Sequence, residues 1–333
     1  MREAPQVPLR DESMKILGPD SLVFGVDDVE ACRQFLTDYG LRPVDVDARG
    51  GRFVALDGTG VEIRHKDDRE LPPPLGTGNA LRQTIYGVAD EATLEAIARE
   101  LRKDREVTRL ASGALSTVDD AGFGVGFQVT VRRPFELPGE RINAPGAPPQ
   151  RLPNAIGARP DAEIKPRTLS HVVYFVPDAR KAEAFYVERL GFVCTDRFVN
   201  TGPFLRPAGT LDHHTLFMIQ TPPFLKGCEH FTFHLGGPTE VLQAGQRLQD
   251  KGYQTFWGPG RHLFGSNWFW YFNSPLGCHV EYDADMDLHD EKWVARETPI
   301  SADASQLFLF KSIEKWMPTG GPPPGKGGGG SPH

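Results

Sequence analysis

Residues 169–194 read LSHVVYFVPDARKAEAFYVERLGFVC, and this stretch decides the fold class. Its first part, Leu169 to Val176, is rich in β-branched and aromatic residues, which is typical of a strand. Asp178 is a suitable N-cap for a helix that runs to Leu190, and Gly191 ends that helix. Further strands are predicted at residues 192–199, 204–207 and 214–220. The stretch therefore begins a unit of one strand, one helix and three strands, a βαβββ unit.

The same order of elements restarts at His230, so internal duplication is the main feature of the chain. A strand is predicted at 230–235, a helix at 239–251, and strands near 253–256, 267–272 and 279–282. The N-terminal half follows this order twice, from about residue 22 to 63 and from about 82 to 129. Paired units of this kind curve into open barrels. The predicted fold class is α+β, with two domains that each contain paired βαβββ modules.

Proline and glycine mark the predicted divisions of the chain. The eight prolines between Arg133 and Arg167 exclude a regular helix or a central strand, which predicts a linker. Apolar residues recur at a helical spacing from Leu307 to Trp316 and predict a terminal docking helix. The predicted parts are an N-terminal tail (1–15), a first domain (16–132), the linker (133–167), a metal-binding domain (168–290), a C-terminal helix (291–317) and a disordered Pro/Gly tail (318–333).

Composition narrows the class of partner. A net charge of −7 gives no general attraction to nucleic acid or to anionic membranes. The four cysteines are scattered without a C-x-x-C pair, which is typical of reduced thiols rather than of disulfides or a thiolate zinc site. We expect no signal peptide, because residues 1–5 begin no apolar run, and no stretch approaches the roughly 20 apolar residues of a membrane span. We expect a cytoplasmic homo-oligomer that acts on a small molecule.

Three residues form the candidate metal site. The first and last strands of paired βαβββ units direct side chains into the barrel. His171 lies on the first strand of the third unit, His230 on the first strand of the fourth, and Glu281 on the last strand of the fourth. A single histidine in an apolar strand is more often a hydrogen-bonded core residue, but equivalent positions in two repeats favour a metal site. Two imidazoles and one carboxylate suit Fe(II), with Mn(II) as the alternative.

Four other histidines are interpreted as structural, and they are His213, His234, His279 and His289. Strand alternation places His213 on the face opposite to His214. Alternation does not separate His234 and His279 from the proposed ligands, because each shares a face with one of them.

The N-terminal half lacks the same ligands. Aligning the repeats places Ser21, Gln83 and Phe127 at the positions of the three proposed ligands. The first barrel is therefore predicted to bind no such metal and to give structural support and subunit contacts. Glu62 and His65 are interpreted as surface residues.

A second stretch carries a resemblance to a known family. Residues 260–281 read GRHLFGSNWFWYFNSPLGCHVE, in which Gly-x-His is followed at fixed spacing by Tyr, Pro-x-Gly and Glu. This pattern resembles the type I extradiol dioxygenases of the vicinal oxygen chelate superfamily, with departures at Trp270 and Ser274. The segments 169–171 (LSH), 212–216 (DHHTL) and 229–231 (EHF) match further family markers. The resemblance covers residues 168 to 285 well and the N-terminal half in outline.

The resemblance implies a function and a role for each site residue. It implies vicinal oxygen chelate barrels and an enzyme that uses O2 to cleave a catechol-type ring next to the diol, giving a ring-opened semialdehyde. His214 would be the acid–base residue, because proton removal and donation both need a group with a pKa near neutrality, as histidine ordinarily has. Tyr271 would hydrogen-bond the substrate oxygen, and His262 would orient that oxygen or the Tyr271 hydroxyl. Without its spacing from His262, Tyr271 would be interpreted as a core residue of the aromatic run 268–272.

Two other functions use the same scaffold. A glyoxalase-type lyase or isomerase would need four protein ligands, and His214 could supply the fourth. A small-molecule-binding resistance protein would have no reason to keep His171, His230 and Glu281 together. The substrate of the biphenyl-type members does not carry over, because residues 263–265 (LFG) replace their Asn-Asp pair.

Overall fold

The computed structural model describes residues 14–310, which form two sheets with few helices. The first sheet contains β1 (Ile16–Val26), β2 (Arg42–Asp47), β3 (Gly50–Val54), β4 (Gly60–His65), β5 (Leu81–Val88), β6 (Thr108–Arg109), β7 (Leu115–Val118) and β8 (Gly124–Val129). The second contains β9 (Thr168–Val176), β10 (Phe192–Val199), β11 (Gly202–Pro207), β12 (Leu216–Gln220), β13 (Gly227–His234), β14 (Thr255–His262), β15 (Trp268–Asn273), β16 (His279–Ala284), β17 (Arg296–Pro299) and β18 (Gln306–Leu309).

The helices are short, and three of them begin at an aspartate cap, among them the predicted cap Asp178. They are α1 (Val29–Asp38), α2 (Glu91–Leu101), α3 (Ala179–Ala184) with a following π-helical turn (Phe185–Arg189), α4 (Pro238–Asp250) and α5 (Ala302–Ser305), besides a 3-10 turn (Pro223–Leu225). The Asp28, Asp90 and Asp178 side chains each accept a backbone N–H from the first turn of α1, α2 and α3. α4 begins with Pro238, which suits the first helical position.

Strand order confirms the α+β fold of duplicated βαβββ units. The first sheet runs β2-β3-β4-β1-β5-β8-β7-β6. The second runs β10-β11-β12-β9-β13-β16-β15-β14, with β17 and β18 added at its two edges. β1 pairs in parallel with β4 and antiparallel with β5, and β9 makes the same two kinds of pair with β12 and β13. Each sheet therefore contains two copies of one unit.

The register corrects one predicted equivalence. In the second sheet Thr232 pairs with both His171 and Glu281, and in the first sheet Ile85 pairs with both Ser21 and Gly126. The position equivalent to Glu281 is therefore Gly126, and the prediction of Phe127 was wrong by one residue. Since a shift of one residue moves a side chain to the other face, Phe127 packs in the core instead.

The predicted C-terminal helix, 291–317, is wrong where the structure describes it. β17 pairs with β10, α5 spans only Ala302–Ser305, and β18 pairs with β14. The ring of Phe308 lies 5.3 Å from that of Trp268, so an open sheet edge and an aromatic contact override the helical spacing. Residues 311–317, the predicted tail (318–333) and residues 1–13 lie outside the described residues.

Buried side chains from both sheets form one continuous core. Phe24 contacts Phe231, and Phe123 stacks on Tyr174 at 4.3 Å between ring centroids. At the same interface Tyr39, at the end of α1, stacks on Tyr282 at 4.1 Å. The segment that joins the two sheets, residues 130–167, contains no helix or strand. The second barrel has its own smaller apolar cluster, which includes Val173, Phe198, Phe204, Phe217 and Phe264.

Candidate metal centre and active site

The three proposed metal ligands lie together inside the second barrel. The Nε2 atoms of His171 and His230 are 3.4 Å apart. Oε2 of Glu281 is 3.2 Å from Nε2 of His171 and 3.5 Å from Nε2 of His230. All three side chains are buried. Within residues 14–310 no second group of three or more histidine, cysteine or carboxylate side chains converges in this way.

Strand pairing explains why these residues meet. Thr232, on the central strand β13, pairs with His171 on β9 and with Glu281 on β16. His230 precedes Thr232 by two residues and therefore shares its face. The Thr232 hydroxyl donates to Oε2 of Glu281 and lies 2.9 Å from Nε2 of His171.

Neighbouring polar groups orient the two imidazole rings. Oγ of Ser170 lies 2.8 Å from Nδ1 of His171. The Glu229 carboxylate bonds to Nδ1 of His230, and its other oxygen lies 2.8 Å from Nδ1 of His279. Both ligand rings thus keep Nε2 for the centre, as partners of metal-bound histidines commonly ensure. Sequence reasoning missed the role of Glu229, although it stands next to His230 in the quoted EHF segment.

Burial and neighbouring charges set the protonation of the ligands. Burial lowers the pKa of His171 and favours the neutral imidazole that binds metals, while the Glu281 carboxylate acts in the opposite direction. Burial alone would raise the pKa of Glu281, but the nearby His171, His262 and His230 rings hold this pKa low. Burial would also lower the pKa of His230, yet the Glu229 carboxylate outweighs it and raises this pKa.

The donor set fits a divalent metal ion. Oε1 of Glu281 is buried and has no hydrogen-bond partner among the described residues, so one carboxylate oxygen is left for a ligand. Nε2 of His262 lies 3.4 Å from that oxygen, without hydrogen-bond geometry. Two imidazole nitrogens and one ionised carboxylate suit a first-row metal with further positions open.

The other two predicted residues of the GRH…Y motif lie beside this centre. His262, at the end of β14, has Nε2 at 3.2 Å from the Tyr271 hydroxyl on β15. The Tyr271 ring meets the His230 ring edge-on at 4.9 Å between centroids. Burial raises the pKa of Tyr271 well above its ordinary value, and the Glu281 charge adds to this shift. Tyr271 is therefore a neutral hydroxyl beside the metal ligands.

His214 also lies beside the centre, with its ring centroid 4.2 Å from that of His171. Burial lowers the pKa of His214 well below its ordinary value, and the neighbouring histidines lower it further. Its imidazole is therefore neutral and able to accept a proton. His214 precedes β12, which begins at Leu216.

The prediction that His213 faces away from His214 is wrong. Residues 213 and 214 lie in a loop rather than in a strand, so alternation does not apply to them. Nδ1 of His213 lies 2.9 Å from Nδ1 of His214, and Nε2 of His213 lies 2.8 Å from Oδ2 of Asp196. The adjacent pair of histidines was visible in the sequence, but nothing local pointed to Asp196.

The remaining histidines have partners away from the metal ligand atoms. Nδ1 of His234 lies 2.6 Å from Oδ1 of Asp283; burial would lower the pKa of His234, but this carboxylate raises it to about 10. His279 is held by Glu229, as described above, and His289 stacks on Trp293 at 3.7 Å.

Glu62, His65 and Gln83 of the first barrel do not belong to the group of proposed metal ligands. Glu62 forms an ion pair with Arg64 at 2.8 Å. His65 is about half exposed and lies near Asp67. The amide of Gln83 donates to Ser116 within the first barrel.

A cavity of about 260 Å³ opens over the centre. His171, His230, His214, His262 and Tyr271 line one side of it. Its other walls are mainly apolar and include Val173, Phe175, Phe198, Phe204, Phe217, Ile219, Phe264 and Ile300, with Glu229, Asn267 and Ser305 as polar members. The cavity therefore offers an apolar space for a ring and a polar end for oxygen atoms. Within residues 14–310, no helix combines the length and the apolar character that crossing a bilayer requires.

Comparisons with known proteins agree with this architecture. A model of the Glyoxalase/Bleomycin resistance protein/Dioxygenase superfamily matches residues 168–282. Over 302 residues the chain is 30% identical to biphenyl-2,3-diol 1,2-dioxygenase of Paraburkholderia xenovorans (strain LB400), covering 87% of this chain and 93% of that protein. It is 33% identical over 156 residues to metapyrocatechase 2 of Cupriavidus necator, a match to 45% of this chain and 48% of that relative.

Solved structures share the fold. The crystal structure of the Mn(II)-bound glyoxalase from Novosphingobium aromaticivorans matches with a TM-score of 0.69 and 21% sequence identity, covering 95% of this chain and 97% of that one. The same architecture thus serves a protein described as a glyoxalase, so the site rather than the fold must separate the candidate functions.

Proposed function

Because the chain belongs to the Glyoxalase/Bleomycin resistance protein/Dioxygenase superfamily, we propose that it is an extradiol dioxygenase. It uses O2 to cleave a catechol-type ring next to the diol and gives a ring-opened semialdehyde. The observation that carries this proposal is the convergence of three ligands, His171, His230 and Glu281, with His214 and Tyr271 on one cavity. The two relatives named above are called a biphenyl-diol dioxygenase and a metapyrocatechase, which supports the same reaction class.

The proposed metal is Fe(II), with Mn(II) as the alternative. When bound, such an ion supplies Lewis acidity toward a catechol hydroxyl and open positions for both substrates. The ligands supplied by this chain are two neutral imidazoles and one carboxylate. The unpartnered Oε1 of Glu281 supports a metal at this place, since a buried carboxylate oxygen otherwise lacks compensation.

The residues around the centre would hold the substrate and move its protons. The Tyr271 hydroxyl, 3.2 Å from Nε2 of His262, would donate a hydrogen bond to a substrate oxygen. His214, neutral because burial lowers its pKa, would accept a proton from a catechol hydroxyl and return it to the O2-derived oxygen that is released when the O–O bond breaks. The phenylalanine-rich walls would hold the ring and exclude water.

The number of ligands favours this reaction over a glyoxalase-type one. Within residues 14–310 the converging ligand group has three members and does not include His214. The Nδ1 atom of His214 is bonded to His213. A four-ligand centre would need His214 to turn toward the other three.

The wider assignments are part of the proposal. The second domain, residues 168–290, would carry the chemistry, and the first, residues 16–132, would support it. A cytoplasmic location and a homo-oligomeric state stay predictions from the sequence.

An O2-uptake experiment tests the proposed function. The full-length protein, loaded anaerobically with Fe(II) or with Mn(II), is mixed with catechol, 3-methylcatechol or 2,3-dihydroxybiphenyl. We expect one O2 consumed per yellow ring-fission product, and loss of both metal and activity in His230→Ala. His65→Ala, in the first barrel, is the matched control and should keep both. Product formation without O2, or full activity of His230→Ala, would overturn the proposal.

A further inference from the structure

A chain of hydrogen-bonded polar groups leads from the buried His214 to Arg296 on β17. Nδ1 of His214 meets Nδ1 of His213 at 2.9 Å, and Nε2 of His213 meets Oδ2 of Asp196 at 2.8 Å. Arg296 completes the chain, with its backbone N–H at 2.9 Å from Oδ1 and its guanidinium at 2.5 Å from Oδ2 of Asp196. We propose that Asp196 and His213 are positioning residues that fix the ring orientation and tautomer of His214. This inference rests on the proposed function.

The hydrogen-bonding capacity of each group determines the tautomer. An ionised carboxylate only accepts, so Asp196 requires a hydrogen on Nε2 of His213. A neutral His213 then has a bare Nδ1, which accepts the Nδ1–H of His214. His214 is left with a bare Nε2, the form that can take a proton from a substrate hydroxyl. The ionised carboxylate of Asp196 thus determines, through His213, that Nε2 of His214 carries no hydrogen.

Arg296 keeps Asp196 in the acceptor form. It contributes its backbone N–H, Nε and a terminal nitrogen to the two carboxylate oxygens. The two residues are also direct partners in the parallel pairing of β10 with β17. Because Arg296 lies beyond the residues matched by the superfamily model, 168–282, the added strand β17 contributes to the acid–base site of this chain.

Burial separates the Asp196, His213 and His214 side chains from solvent, while the Arg296 side chain is 41% exposed. Asp196 and His213 have no exposed side-chain surface, and His214 is buried against His171. The other side of His213 is covered by the His289 ring, at 5.4 Å between centroids. Water cannot easily replace a missing hydrogen-bond partner of these buried side chains. The loss of one hydrogen bond should therefore change the hydrogen bonding of Asp196, His213 and His214 together.

Asp196→Asn is the sharpest test of this order. The amide oxygen should face the Arg296 donors, which turns the amide NH2 toward His213. His213 would then accept at Nε2 and donate from Nδ1, and His214 would carry its hydrogen on Nε2. This is the wrong tautomer for a base. His213→Gln is the second variant, because it removes the imidazole link while keeping a polar side chain.

The first measurement compares catalysis with binding. In Fe(II)-loaded Asp196→Asn and His213→Gln, kcat should fall at least about tenfold, toward the roughly 10²- to 10⁴-fold that general acid–base catalysis supplies. Metal content, KM and anaerobic catechol affinity should stay within about twofold, because no substrate or metal contact is lost. Asp119→Asn is the matched control. It alters another buried carboxylate, which does not line the cavity and accepts a hydrogen bond from the Tyr186 hydroxyl at 3.0 Å. This variant should keep kcat.

The second measurement reads the tautomer without any turnover. Side-chain 15N spectra of the full-length zinc-loaded protein, which is diamagnetic, should show a bare Nε2 on His214 and a protonated Nε2 in Asp196→Asn. A kcat within twofold of the unaltered protein in both variants, or an unchanged His214 spectrum in Asp196→Asn, would overturn the positioning role. A parallel loss of kcat, metal and catechol affinity would also overturn it, since that is the result of a purely structural role.

The two measurements separate this inference from the proposed function. If the unaltered protein cleaved no catechol, the proposed function would fail, and the 15N spectra would still decide whether Asp196 sets the His214 tautomer. If the unaltered protein were active and both variants kept full kcat, only the positioning role would fail.

Discussion

The carboxylate of Glu229 accepts a hydrogen bond from Nδ1 of His230, so the ring of this ligand turns its Nε2 toward Glu281 and His171. The same carboxylate is shared with His279. Glu229 contributes no ligand atom to the centre, yet it fixes the ring that does.

We expect Glu229→Gln to weaken metal binding. An amide holds Nδ1–H of His230 less strongly than a carboxylate, and loss of such a partner commonly costs about 10- to 100-fold in metal affinity. The dissociation constant for Mn(II), measured by competition with a chelator, should rise by this factor. Glu62→Gln, which alters a carboxylate paired with Arg64 in the first barrel, is the control. Equal affinities in all three proteins would contradict the role of Glu229.

Metal affinity should rise with pH. Burial would lower the pKa of His230, but the Glu229 charge raises it, so this ligand must lose a proton before it binds a metal. While His230 is protonated, affinity should increase by about tenfold per pH unit and then level off. Mn(II) titrations between pH 5.5 and 8 would measure this, and in Glu229→Gln the rise should occur at lower pH. An affinity independent of pH would show that no ligand proton is displaced.

Tyr271→Phe should reduce turnover and leave metal binding intact. The variant loses the hydroxyl that lies 3.2 Å from Nε2 of His262 and that is proposed to bond a substrate oxygen. A hydrogen bond to a charged group contributes about 1.5–3 kcal/mol, which corresponds to roughly a 10- to 150-fold fall in kcat/KM. Tyr253→Phe is the control, because it removes a hydroxyl that donates to Asp38 at 2.9 Å, far from the cavity walls. Unchanged kinetics of Tyr271→Phe would refute the assigned contact.

Asp119→Asn should flatten part of the pH dependence of stability. Burial raises the pKa of Asp119 to about 6 from 3.8, although hydrogen bonds from Phe123 and Tyr186 oppose the shift. A raised pKa means that the folded state holds a proton more tightly. The proton on Asp119 therefore adds fully to the free energy of unfolding below about pH 4, and this stabilisation is lost as pH rises through about 6. The loss is of the order of 3 kcal/mol.

Urea unfolding at pH 4.5 and at pH 7 would check this expectation. The variant carries no such proton, so its stability relative to the unaltered protein should increase from pH 4.5 to pH 7. A stability difference that is the same at both pH values would show that Asp119 titrates normally.

The metal ligands could be predicted because they depend on local patterns. His171, His230 and Glu281 lie on regular strands, and the duplication marks the same place in two units. The resemblance to a known family then identified His214, His262 and Tyr271. Local periodicity and a repeat are the signals that a single sequence carries most clearly.

Contacts set by tertiary structure could not be predicted in this way. Asp196 meets His213 only because a loop returns to β10, and strand alternation gave the wrong face for a residue outside a strand. β18 forms because β14 presents an open edge, which no helical spacing between Leu307 and Trp316 reveals. The one-residue error at Phe127 arose because the register of β8 against β5 is set by tertiary pairing, which the sequence of β8 alone does not reveal.

The stacking of Tyr39 on Tyr282 links the first barrel to the second. The Tyr39 hydroxyl donates to the backbone carbonyl of Glu281, and the Tyr282 hydroxyl donates to the carbonyl of Tyr39. The first barrel, in whose described residues no group of metal ligands is found, therefore contacts the backbone of a proposed ligand in the second barrel. A change in α1 or its surroundings would therefore shift the backbone of Glu281, so the first barrel helps to set the position of a proposed metal ligand.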